Sequence, residues 1–121
     1  MFASERRTTY RRKLHLPLHF HRQDPLIEGE HGATSVNVST SGVYFISSLP
    51  LLVGEKIAVS MKMLKKLTGE RASNRLFTGR VTHVNSQGSP PGLSRIGVHL
   101  LYYVLEFGRE QSNDVALEVR R

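Results

Sequence analysis

Two short runs carry side chains suited to holding an anion and reading a nucleobase. The first is an arginine cluster, Glu5-Arg6-Arg7-Thr8-Thr9-Tyr10-Arg11-Arg12, and the second is Asn37-Val38-Ser39-Thr40-Ser41-Gly42. The planar guanidinium fork makes paired hydrogen bonds to phosphate oxygens or to O6 and N7 of guanine, and its face stacks on bases. Arg7 and Arg11 are spaced i, i+4 with Arg6 and Arg12 beside them. An extended chain or a helical turn would each bring that pair to one side, so two guanidinium groups can converge on one ligand. In the second run, Asn37 and Ser39 lie two residues apart and share a face on a strand. The Asn amide donates and accepts, and the Ser hydroxyl does either, so the pair can read a base edge. Gly42 allows a positive φ or a close backbone approach.

Each run also has a plainer reading. Arginine clusters serve as solvated basic arms, and Asn, Ser and Gly are ordinary turn residues. Their occurrence in order, separated by residues 12–36 and followed by a β-rich pattern, favours the ligand-binding reading of both. A second basic zone, Lys62, Lys65, Lys66, Arg71 and Arg75, lies near a predicted loop and reads as solvated surface. His15, His19 and His21 share one face of a predicted strand with no cysteine nearby, so an exposed polar face is expected there and no metal site.

The elements that must position these residues are strands. Leu14, Leu16, Leu18 and Phe20 alternate with His15, Pro17, His19 and His21, the pattern of a half-buried strand. Pro17 lacks an amide donor, which predicts an edge position or a bulge. Ala33–Val38 and Val43–Ser48 are two more β-rich runs joined by the Ser39–Gly42 turn. Ile57, Val59, Met61 and Met63 alternate with Ala58, Ser60 and Lys62, and Leu76–Val84 and Ile96–Tyr103 complete the set. Pro50 and Gly54, residues 65–74 and residues 86–92 are the breakers between them. Five or six short strands at this spacing predict a small all-β barrel or sandwich. The C-terminal region is ambiguous: Leu101, Val104, Leu105 and Gly108 have helical spacing, whereas Tyr102-Tyr103-Val104 favours a strand. Residues 114–121 are compatible with a short helix capped by Asn113 or Asp114.

Composition narrows the function classes. The 121 residues suit one domain, and a formal net charge of +7 favours anionic partners. The absence of cysteine removes disulfides, thiolate metal sites and cysteine nucleophiles. No apolar run approaches the roughly 20 residues of a membrane span, and residues 1–13 lack the apolar segment of a signal peptide. A cytoplasmic protein is the expectation. No phosphate loop, nucleophile elbow or carboxylate pair is recognisable, so the chain is expected not to be an enzyme.

Taken together, Arg7-x-x-x-Arg11 followed by Asn37-x-Ser39-x-x-Gly42 resembles the signature of the PilZ domain, a bacterial receptor module for cyclic di-GMP. Val43-Tyr44-Phe45 after the second motif, the run Gly79–Val84 and the run Ile96–Leu100 are similar to that family as well. The resemblance implies an all-β fold, a small six-stranded antiparallel barrel with a C-terminal helix in many members. It divides the chain into a basic arm, residues 1–13, and a barrel domain, residues 14–121. It also implies that cyclic di-GMP is the ligand and that no cofactor is used. Arg7 and Arg11, flanked by Arg6 and Arg12, would hold phosphate and guanine, and Asn37, Ser39 and Gly42 would form the turn around one guanine. Many members carry Asp where this chain has Asn37. Ligand binding would alter the surface that a downstream protein reads. The alternatives are a basic barrel for single-stranded nucleic acid, and a PilZ-like adaptor that binds no nucleotide.

Overall fold

The computed structural model describes residues 13–22 and 24–106. The arginine arm and the terminal helix expected over residues 114–121 lie outside them. Six strands form: β1 (Pro17–His21), β2 (His31–Val38), β3 (Gly42–Ser47), β4 (Lys56–Met63), β5 (Ser73–Asn85) and β6 (Ser94–Leu105). Two single-turn helices, α1 (Pro25–Glu28) and α2 (Lys65–Thr68), sit in the β1–β2 and β4–β5 connections. Asp24 begins α1 by accepting a 2.9 Å hydrogen bond from the Leu26 amide, with Pro25 pre-set for the first turn. Leu67 of α2 turns inward to plug the barrel.

The strands close into a barrel in the order β1-β2-β3-β6-β5-β4, every pairing antiparallel. Closure gives every strand a partner on both sides over part of its length, which limits the usual route to edge-to-edge aggregation. The alternation read from the sequence sets the faces. Leu18 and Phe20 of β1 and Ile57, Val59, Met61 and Met63 of β4 point inward, while His15 and His19 are exposed. Phe20 and Phe45 meet at the centre with ring centroids 4.9 Å apart, surrounded by Val38, Val43, Val81 and Ile96. Burying aliphatic and aromatic side chains of this size stabilises by roughly 1.5–3 kcal/mol each.

Several local expectations are revised. Pro17 is the first residue of β1; it pairs with Thr34 of β2, whereas pairing with β4 begins only at Leu18↔Met61, so its missing donor is tolerated at a position open on one side. The irregularities fall instead between Ser35 and Asn37 in β2, and on the β5–β6 ladder between Thr78 and Gly79 and between Val81 and His83. Residues 101–105 are strand, because their backbone groups continue the ladder from Thr78↔Tyr102 to Arg75↔Leu105; pairing overrides the helical spacing. Residues 65–74 contain α2 and the start of β5 as well as a breaker. Ser60, expected outside, is 4% exposed, and its hydroxyl donates to Glu106 Oε1 at 2.5 Å.

One buried side chain ties the chain ahead of β1 to the barrel. The Ser35 hydroxyl donates to the Leu14 carbonyl and accepts from the Leu16 amide at 2.8 Å. The Ser35 amide donates to the Leu16 carbonyl at 2.9 Å, and His15 Nδ1 lies 3.1 Å from the Ser35 carbonyl. Residues 14–16 therefore run along β2 as a hydrogen-bonded extension of β1. Ser35→Ala strands two backbone groups at once and is expected to cost about 1–3 kcal/mol. Urea unfolding of parent and variant measures this; an unchanged midpoint would remove the clamp.

Candidate ligand-binding site

The β2–β3 turn is built by its own side chains. The Ser39 amide donates to the Gly42 carbonyl at 2.9 Å, closing the hairpin beyond the Val38↔Val43 pair. The Ser39 hydroxyl accepts from the Ser41 amide at 3.2 Å and lies 3.5 Å from the Gly42 carbonyl. Ser39 is only 6% exposed. Its hydroxyl is committed to shaping the turn, a serine turn that holds the backbone in place. Val38 is fully buried, and its neighbour Asn37 pairs with Tyr44 across the hairpin.

Gly42 owes its identity to crowding. Its φ is not positive; a Cβ there would lie 3.2 Å from the Val98 carbonyl of β6. Of the two roles that the sequence allows for this glycine, close approach is the one realised. The Leu100 amide donates to the Ser41 carbonyl at 2.8 Å, so the turn is stitched to β6 as well as to β2.

The same device recurs at Gly97. A Cβ at Gly97 would fall 2.6 Å from Tyr44 Cε1 and 3.1 Å from His83 Cβ. Without one, the Tyr44 ring lies across β6 and brings its hydroxyl 3.4 Å from His83 Nδ1 on β5. The Thr82 hydroxyl donates to the Gly97 carbonyl at 3.2 Å and stands 3.2 Å from His83 Nδ1. The register shift between Val81 and His83 permits this grouping.

These features surround one cavity of about 280 Å³, lined by Asn37, Ser39, Ser41 and Gly42 of the turn, Tyr44 of β3, Thr82 and His83 of β5, and His99 of β6. The structure thus brings together Asn37, Ser39 and Gly42, and adds Tyr44, Thr82, His83 and His99, which motif reading did not single out. They fall within the runs Val43-Tyr44-Phe45, Gly79–Val84 and Ile96–Leu100, and the glycine inside the last of these is the mark of a close approach. No Asp or Glu lines the cavity, and β3, β5 and β6 contain none, while β5 and β6 carry Arg75, Arg80, His83, Arg95 and His99. A wall of this composition favours an anionic occupant.

Arg6, Arg7, Arg11 and Arg12 lie outside the described residues. The chain that follows them is fixed at Leu14–Leu16 against Ser35, two residues before Asn37. In the second basic zone, Lys62, Lys65, Lys66 and Arg71 are exposed, but Arg75 is a correction: it is 6% exposed. Its guanidinium lies 4.2 Å from the Tyr103 ring centroid and 3.5 Å from Glu70, and its Nε donates to Ser73 at 3.1 Å. It is a packed cation of the barrel wall. Among the described residues, no three His, Asp or Glu side chains are grouped to hold a metal ion, and no helix is long and apolar enough to cross a membrane.

Comparison with known proteins bears on both fold and motifs. No curated protein matches the sequence. Among solved structures, the fold is similar to the Bacillus subtilis inhibitor of motility MotI/DgrA, with a TM-score of 0.60 and 17% identity. That similarity covers 95% of this chain and 53% of MotI/DgrA, so the chain spans about half the length of that protein. A family model for the PilZ domain matches residues 5–112, a stretch that takes in the arginine cluster, the Asn37–Gly42 turn and all six strands. The chain belongs to the PilZ domain family.

Proposed function

We propose that this chain is a cyclic di-GMP receptor that acts by binding and catalyses no reaction, and that it works in the cytoplasm. The observation that carries the reading is the carboxylate-free cavity at the Asn37–Gly42 turn, two residues from the point where the arginine-bearing segment joins the barrel. A cyclic dinucleotide offers two guanines and two phosphates, and the site offers a match for each. Asn37 presents an amide to a guanine edge. Ser39 and Gly42 hold the turn close to β6 so that the base can lie against it. Arg7 and Arg11, with Arg6 and Arg12 beside them, supply guanidinium groups for phosphate and for the exposed base face.

Reach is sufficient. Arg11 is three residues ahead of Leu14 and Arg7 seven, which at full extension allows about 10 Å and about 25 Å of travel from the Ser35 clamp. The nucleotide draws the arm, residues 1–13, against the barrel domain, residues 14–121, and so changes the exposed surface. A partner protein reads that change. Micromolar affinity needs about 8 kcal/mol; two charge-assisted contacts at about 1.5–3 kcal/mol each, plus base stacking, supply much of it.

A nucleic-acid reading has one observation in its favour: Tyr102 and Tyr103 are exposed on a basic chain, which is the raw material of a stacking platform. They lie on the far part of β6, however, and do not line the cavity of the motif residues. Salt dependence separates the two readings, because phosphate-tracking binding weakens steeply with added salt.

Calorimetric titration of the purified chain with cyclic di-GMP is expected to show saturable binding at micromolar affinity or tighter, with GTP and a short single-stranded oligonucleotide binding far more weakly. Arg7→Ala and Arg11→Ala should each lower affinity by about tenfold or more, whereas Lys65→Ala on exposed α2 should leave it within about twofold of the parent. Equal binding by parent and both arginine variants would end this reading. Asn37→Asp is expected to tighten binding several-fold, since a carboxylate accepts from both N1–H and N2–H of guanine where the amide oxygen is a single acceptor; weaker binding by that variant would show that Asn37 does not face a guanine edge.

A further inference from the structure

β6 is longer than the strand beside it, and the excess is apolar. β3 pairs with β6 from Ser47↔Ser94 to Gly42↔His99, and the Leu100 amide then donates to the Ser41 carbonyl at 2.8 Å. There the β2–β3 turn ends the pairing. β6 runs on to Leu105 along β5 alone, from Thr78↔Tyr102 to Arg75↔Leu105. Among the described residues, no strand pairs with the other side of residues 101–105. The backbone groups on that side follow from the ladder. The Glu106 amide donates to the Asn74 carbonyl at 2.9 Å, so Glu106 faces β5, and by alternation Val104 and Tyr102 do as well. The N–H and C=O groups of Tyr103 and Leu105 therefore point away from β5 and form an open edge.

The side chains of this edge carry none of the usual protections. The run is Leu101-Tyr102-Tyr103-Val104-Leu105, with no charge and no proline, and each residue is between 43% and 62% exposed. Where β5 outruns β4, by contrast, Thr82, His83 and Asn85 make the overhang polar. Tyr103 is also held in place, its ring 4.2 Å from the Arg75 guanidinium and 5.5 Å from the Phe77 ring. An aromatic side chain fixed in this way costs little entropy as an anchor. The charged groups closest to the run are engaged: Arg75 is buried against Tyr103, and Glu106 accepts from the Ser60 hydroxyl.

We propose that the edge at residues 101–105 pairs with the same edge of a second copy, antiparallel about a two-fold axis at Val104. Tyr103 of each copy then stands opposite Leu105 of the other, and their outward N–H and C=O groups satisfy one another. Charge favours a second copy as the occupant: two chains of net charge +7 repel, and an uncharged apolar face is where they can meet. The run is self-complementary, because β-branched, aromatic and aliphatic side chains face their own kind across the axis. Area agrees as well. The five residues expose roughly 500 Å², so a pair covers about 1,000 Å², the lower bound of a specific interface. The association is therefore weak and concentration-dependent. It also closes at two, since pairing uses up the apolar edge of both copies. None of this rests on the receptor reading.

The test is sedimentation velocity of the full chain without nucleotide over a range of micromolar concentrations, with amide hydrogen exchange as a second readout. The mass should rise with concentration from that of one chain toward that of two and no further. Exchange at the Tyr103 and Leu105 amides should slow as the pair forms, whereas Tyr102 and Val104, already bonded to β5, should not change. Val104→Lys sets like charges against each other at the axis and should weaken association about tenfold or more. Leu105→Pro removes an outward donor without touching the β5 ladder and should weaken it comparably. Leu26→Lys on exposed α1 should leave it within about twofold of the parent. Circular dichroism and thermal unfolding check that each variant is folded. A chain that stays single at every concentration overturns the inference. If exchange at Tyr103 and Leu105 is slow in that single chain, the edge belongs to another segment of the same chain; if it is fast and the chain binds a single-stranded oligonucleotide through Tyr102 and Tyr103, the face serves stacking. Association that survives Val104→Lys lies on another surface, association that survives Leu105→Pro involves no strand pairing, and growth beyond two copies makes the edge an aggregation site; each result overturns the inference.

Discussion

Closure through β1 is the constraint on which the rest of this molecule depends. β1 has five residues, yet it pairs with β2 on one side and β4 on the other, and this double pairing turns the continuous wall β2-β3-β6-β5-β4 into a closed barrel. Two side chains, Leu18 and Phe20, secure it from within, and Phe20 packs against Phe45 at the centre. Five residues form a short ladder, and Ser35 lengthens it by holding Leu14 and Leu16 alongside β2. The same buried hydroxyl that helps to close the barrel thereby sets the point from which the arginine arm departs. Architecture and site geometry share one anchor.

The site itself depends on side chains that are missing. Glycine at 42 lets the turn press against the Val98 carbonyl, and glycine at 97 lets an aromatic ring lie flat across a neighbouring strand. Neither position requires an unusual φ; each requires empty space above the sheet. The result is an outer-face cavity whose floor is backbone and whose walls are polar and carboxylate-free. Ser39 and Thr82 spend their hydroxyls on neighbouring backbone and side chains, which leaves Asn37 and the imidazoles as the groups able to turn toward an occupant.

Much of this was legible in the sequence, for a definite reason. Period-two alternation fixes which face of a strand is buried, so Leu18, Phe20, Ile57, Val59, Met61 and Met63 could be assigned to the core before any pairing was known. The Asn37–Gly42 turn was legible because turn chemistry is local. What could not be read was set by partners distant along the chain. Arg75 looks like a surface cation until Tyr103 is placed beside it, and Ser60 looks exposed until Glu106 reaches it. Tyr44 and His83 belong to separate strands and meet only because Gly97 lies between them and the β5 ladder shifts by a residue. Alternation carries no information about such shifts.

The strand order has a consequence for how the cavity comes into being. Its lining is drawn from β2, β3, β5 and β6, and β3 pairs directly with β6 although β4 and β5 intervene in sequence. The hairpin carrying Asn37 can form locally, but its neighbour β6 is the last strand, the kind of late, non-local pairing that slows folding. An occupant therefore recognises the closed barrel and not its parts, and stabilises that state in proportion to its concentration over its dissociation constant. Occupancy becomes a report on the integrity of the whole wall: damage to closure, even at β1 where no lining residue resides, is transmitted as a loss of affinity.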